Sequence, residues 1–200
     1  MGRKERKERE EKRESYASKR SFEKRKNMLI TIGVLAIVAV IVGYAGWSFV
    51  HMSQNAPGSP KGAGALGSEH SHDALLVKVF GDTFDFSLPT YQLKSSWIHF
   101  EGGDGTTIHK HATGVKLGYL FDSLKLKVDD KCFVFQDGRQ FCTNADYTLK
   151  FFINVKQVND IRNYESMDND RILIVYGAET PEEIQTLLTQ LNSQEIKRTG

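Results

Sequence analysis

The uncharged stretch from Met28 to Val50 (MLITIGVLAIVAVIVGYAGWSFV) constrains this chain more than any other feature. As a helix at ~1.5 Å per residue it reaches about 34 Å, enough to cross a hydrocarbon core of ~30 Å. Twelve of its residues are Leu, Ile, Val or Phe, and each favours insertion by roughly 0.3 to 0.6 kcal/mol. The expectation is a single transmembrane helix. A cleaved signal peptide is the rival, since Gly43-Tyr44-Ala45 offers small residues at cleavage positions. Against it, the apolar run exceeds the usual ~7–15 residues and follows a long basic region.

Charge is split around that stretch. Residues 1–27 carry twelve Lys/Arg against six Glu, and the remainder carries fifteen Lys/Arg against nineteen Asp/Glu. Basic residues beside a span stay cytoplasmic. The sequence therefore predicts a cell-membrane, single-pass protein with its N-terminus in the cytoplasm and its C-terminal domain extracytoplasmic. The lipid bilayer is the first expected partner, and anionic headgroups can hold such a basic stub. Glu interleaved with Lys and Arg suits i,i+4 pairs on a solvated helix, so no nucleic acid partner is expected.

The expected organisation is a basic stub (1–27), the transmembrane helix (28–50), a flexible linker (51–73), one folded domain (74–194) and a tail (195–200). The linker begins HMSQNAPGSPKGAGALGS and shows no hydrophobic period that could offset its ordering entropy. The domain has ordinary single-domain size.

Within it, Leu75 to Phe80 and Thr83 to Leu88 read as a hairpin around Gly81-Asp82, with Phe84, Phe86 and Leu88 on one face. Trp97 to Glu101 alternates again, and Gly102 to Gly105 is a turn by composition. Leu117, Leu120, Phe121 and Leu124 share one helical face. Tyr147 to Asn154 is a strand. Arg171 to Tyr176 is apolar on both faces and belongs in the middle of a sheet. Thr180-Pro181-Glu182-Glu183 opens a last helix with a capping box and Pro at its first position. The pattern is α+β: a mainly antiparallel sheet with helices on one face.

Cys132 and Cys142 flank CFVFQDGRQFC. If Gln136 to Gly138 form a three-residue loop with Gly138 left-handed, Phe135 faces Arg139 and Cys132 falls opposite Cys142. Facing residues on paired strands can be bridged, and an even pair outside the membrane suits an oxidising compartment. The expectation is a structural disulfide. Thiol-disulfide exchange is the alternative, although its usual Cys-x-x-Cys spacing is missing.

The run Leu149 to Gly177 resembles the last part of ubiquitin-like β-grasp domains. It has a strand ending in Ile153-Asn154, an aromatic residue (Tyr164) before an acidic turn (Asp168 to Asp170), and a final strand, Ile172 to Tyr176. Val155 stands where many relatives have Gly. The whole layout also resembles a group of small membrane-anchored archaeal ectodomain proteins. Phe86-Ser87-Leu88-Pro89, Ile98-His99-Phe100 and Ile108-His109-Lys110-His111 carry that likeness. Some members are labelled protein-disulfide isomerase, so the resemblance implies that activity as one function.

Five histidines fall in or just before the domain. His70-Ser71-His72 and His109-Lys110-His111 are His-x-His pairs, and residues two apart on an extended chain point the same way. If the pairs meet, His70, His72, His109 and His111 make a nitrogen ligand set suited to Zn or Cu(II) ions. Glu101 and Asp104 are candidates to add oxygen or orient a ring. Solvated or hydrogen-bonded histidines are the competing reading, and His99 reads as structural. Three function classes follow. One is a membrane-anchored extracytoplasmic binding domain, taking Zn or Cu or a membrane or extracytoplasmic protein partner. Another is a membrane-tethered thiol-disulfide oxidoreductase or isomerase using Cys132 and Cys142. The third is a structural or assembly role, in which the basic stub holds a cytoplasmic complex while the outer domain senses or scaffolds. No catalytic residue is assigned outside the thiol-disulfide alternative, and the binding module is the favoured reading over an enzyme.

Overall fold

The computed structural model describes residues 2–54 and 58–198, in two units, Met1–Met52 and Ser53–Gly200. In the first, α1 (Arg3–Gln54) is one uninterrupted helix. The stub is rich in good helix formers and the chain's first proline is Pro57, so nothing breaks the ladder. Ser15, Ser18 and Ser21 return their hydroxyls to carbonyls three residues back. The part of α1 within Arg6–Phe49 is long and apolar enough to cross a membrane.

The second unit is built on a mixed, mainly antiparallel sheet. Its strands are β1 (Ser71–Val79), β2 (Asp82–Thr83), β3 (Ile98–His99), β4 (Thr107–Lys110), β8 (Thr148–Ile153), β9 (Lys156–Val158) and β10 (Arg171–Gly177). The order is β3-β4-β1-β10-β8-β9, with β2 paired to β1. The central pair, β1 and β10, is parallel, and the other pairings are antiparallel. A second sheet holds β5 (Lys127–Val128), β6 (Cys132–Val134) and β7 (Gln140–Cys142).

Both central strands are buried on two sides. Leu75, Val77, Ile172 and Ile174 join Leu117, Leu120 and Phe121 of α2 (Leu117–Ser123) in one core. Ala74, Leu76, Leu173 and Val175 join Ile184, Leu188 and Leu191 of α3 (Pro181–Ser193) in another. The helices thus lie on opposite faces, and the one-face expectation is corrected. The reason is the alternation itself: a strand apolar at every position needs cover on both sides, at roughly 1.5–3 kcal/mol for each large side chain buried.

Other expectations hold locally. Thr180 caps α3: its hydroxyl accepts from the Glu183 amide, and the Glu183 carboxylate accepts from the Thr180 amide at 2.8 Å. Cys132 faces Cys142, Phe135 pairs with Arg139, Gly138 has φ +89°, and the cysteines form a disulfide. The first hairpin differs. Phe80 and Gly81 take the turn with φ +53° and +83°, and pairing stops at Thr83. Phe84 and Phe86 still pack inward, while Pro89–Tyr91 forms a 3-10 turn and Leu88 is exposed.

The strand β1 starts at Ser71, three residues before the expected domain edge. Gly58 to Ser68, expected to be part of a free tether, lies along the domain; residues 55–57 of that linker fall outside the described residues. Tyr119 donates to the Gly58 carbonyl at 2.6 Å, and the amides of Gly64 and Gly67 donate to Thr113 and His111. At Gly114 a Cβ would sit 2.3 Å from the Gly62 oxygen, so the approach of the two chains needs glycine there. The tail is also seated: the Lys197 amide donates to Thr107 Oγ1, and Arg198 reaches Asp168 and Asn169.

Candidate metal centre

The two His-x-His pairs meet because β1 and β4 are antiparallel neighbours. Their register sets His72 opposite His109 and Ser71 opposite Lys110, which carries His70 to His111. The ring centroids are 4.7 Å apart for His72–His109 and 4.8 Å for His70–His111. On the far side of β4, His99 of β3 pairs with His109. Its ring stacks 5.0 Å from His111 and 6.1 Å from His109. By strand alternation all five rings lie on the α3 side of the sheet, in line with Ala74 and Leu76.

The backbone of the site is held by residues that the sequence reading valued for other reasons. The acidic turn grips His72: its amide donates to Asp168 Oδ1 at 3.0 Å, and its carbonyl accepts from Asn169. The His111 amide donates to the Trp97 carbonyl, and its own carbonyl accepts from Gly67.

Potential ligand atoms of His70, His72 and His109 all lie within 4.8 Å of one another. His70 is exposed, while His72 and His109 are buried. His70 and His72 face each other Nε2 to Nε2 at 3.2 Å. His72 Nδ1 is buried without a hydrogen-bond partner, and His109 Nδ1, also buried, makes no hydrogen bond but lies 3.3 Å from Glu101 Oε1. A buried polar nitrogen left this way costs about 1–3 kcal/mol, unless a cation takes its lone pair.

Charge supports that use. Burial holds the His72, His109 and His111 imidazoles below their ordinary pKa, His109 to about 4, with neighbouring histidines adding to the effect. They are neutral near pH 7, the form that binds metal. Burial pushes the Glu101 carboxyl up, but the hydrogen bond to His99 and the nearby imidazoles outweigh it and the net shift is down. Glu101 stands between two rings: Oε2 is 3.2 Å from His99 Nε2 and Oε1 is 3.3 Å from His109 Nδ1. Asp104, the other expected oxygen donor, turns away and accepts from the Thr106 amide and hydroxyl.

His99 and Glu101 are thus drawn into the cluster, where the sequence reading made His99 structural. The signal was the shared parity of Trp97, His99 and Glu101; the pairing of β3 with β4 was not visible. The opposite face of the same strands holds Asp73, buried and pushed up to about 7 by desolvation, and Lys110, whose Nζ donates to the Ser166 carbonyl and pairs with Glu69 at 3.1 Å. The Cys132–Cys142 bond lies on the small sheet.

No protein-family model matches the chain, and neither curated proteins nor solved structures give a match. The functional reading therefore rests on the site's own chemistry.

Proposed function

We propose that this is a single-pass membrane protein whose extracytoplasmic, β-grasp-like domain binds Zn²⁺ or Cu²⁺ through His70, His72, His109 and His111. The observation that carries the metal reading is the convergence of His70 with two buried imidazoles: His72, whose Nδ1 has no hydrogen-bond partner, and His109, whose Nδ1 faces only the Glu101 carboxylate at 3.3 Å. An all-imidazole set with nearby carboxylate suits these two ions. The β-grasp reading draws support from the parallel pairing of the first strand with the last at the sheet's centre. The basic stub and the disulfide support an outward-facing domain.

The test uses the full chain in detergent micelles, stripped with a chelator and titrated with Zn²⁺ and with Cu²⁺. We expect binding tighter than about 10 μM, weakened at least 100-fold in a His72→Ala/His109→Ala variant that keeps its disulfide and circular dichroism. No binding by the parent, or equal binding by the variant, removes the metal reading.

A further inference from the structure

The cluster contains more ligands than one ion can use. Four-coordinate sites are the rule for Zn²⁺, yet five imidazoles and a carboxylate converge here. We propose that the site holds two cations: one at His70, His72 and His109, and a second at His99, His111 and Glu101, with the Glu101 carboxylate reaching both. This rests on the metal reading above and divides its ligand set, leaving His70, His72 and His109 with the first ion and giving His111 to the second.

Three observations divide the ligands in this way. First, the two oxygens of Glu101 serve different rings, Oε1 facing His109 and Oε2 facing His99. That is the arrangement of a bridging carboxylate in two-metal sites, where ions sit ~3.5–4 Å apart. Neighbouring strands are ~4.8 Å apart, so His99 on β3 and His109 on β4 are spaced to serve adjacent ions.

Second, the His99 tautomer is fixed by its surroundings. Its Nδ1 lies 2.7 Å from the Ser95 carbonyl, which can only accept, so Nδ1 carries the hydrogen. Nε2 is then the ring nitrogen that faces Glu101 Oε2, at 3.2 Å. A ring nitrogen and a carboxylate oxygen at that distance are spaced as two ligands of one ion.

Third, the proposed centres differ in their access. His99 and His111 line an open cleft of about 380 Å³ with Leu66, Leu93, Ser95 and Ser96. Neither His72 nor His109 lines it. The second ion therefore faces this cleft and keeps room there for an outside ligand, while the first reaches solution through exposed His70.

Metal content decides this. The full chain in micelles is loaded with Zn²⁺, desalted and assayed for zinc per chain by mass spectrometry. Two ions are expected in the parent and one in both His99→Ala and His111→Ala; His111 is only half-buried, so its variant guards against misfolding. With Cu²⁺, the parent's electron paramagnetic resonance intensity should fall short of the copper present, through coupling of close spins. It should recover to the full one-copper value in His111→Ala. One ion per chain in the parent overturns the second centre and leaves the first reading standing; none overturns both. Retention of two ions in both variants, or loss of both ions from a folded variant, also overturns the division proposed here.

Discussion

Asp104 shows how a single carboxylate stabilises the loop that leads into the site. It is buried, its Oδ1 accepts from the Thr106 amide at 2.8 Å and hydroxyl at 2.6 Å, and Lys197 Nζ stands 3.8 Å from Oδ2. Burial works to raise its pKa, but the Thr106 hydrogen bonds and Lys197 outweigh this and the net shift is down. A depressed folded pKa gives stability that is present above the unfolded value near 3.8 and lost as pH falls through the folded one. Asp104→Asn, which sets an amide against the Lys197 ammonium, should cost about 1 kcal/mol at pH 7. The gap to the parent should close below pH 4, as followed by urea unfolding at several pH values. At this scale the candidate ligands were legible because His-x-His is a local pattern. The partnerless Nδ1 of His72 and the reach of Glu101 were not, since both depend on what neighbouring strands bring near.

Elements were legible where one short-range rule decides them. The capping box of α3 needs only Thr180, Pro181 and Glu183, and the disulfide hairpin only a three-residue loop ending in Gly138. The β8–β9 turn shows a local rule strained by the sequence. Asn154 and Val155 both take positive φ, +48° and +66°, and Val155 is 55% exposed. A β-branched residue is strained in that region. Val155→Gly should therefore stabilise the domain by about 0.5–1 kcal/mol, read as a rise in Tm, with relief of strain exceeding the entropy glycine adds to the unfolded chain. No change or a fall would show that the turn carries no such strain. In contrast, β4 was missed as a strand: Thr107–Lys110 is four residues long and reads as polar, and only its place between β1 and β3 makes it extended.

At the scale of the whole molecule, the reading of an anchored, outward-facing domain makes a prediction about orientation. Protease added to intact cells should digest the C-terminal domain and spare an N-terminal tag fused before Met1; cutting of the domain only after lysis would reverse the assignment. The sequence by itself determined the apolar helix, the central β10, the α3 cap, the facing cysteines and four of the histidines, because each follows from residues close in the chain. The tertiary structure alone decided that α2 and α3 cover opposite faces, that Gly58 to Ser68 packs against the domain, that His99 joins the two pairs, and that of the two candidate carboxylates Glu101 reaches them while Asp104 does not. Those outcomes depend on which strands become neighbours, and strand pairing is set by burial summed over the whole sheet rather than by any short window of sequence.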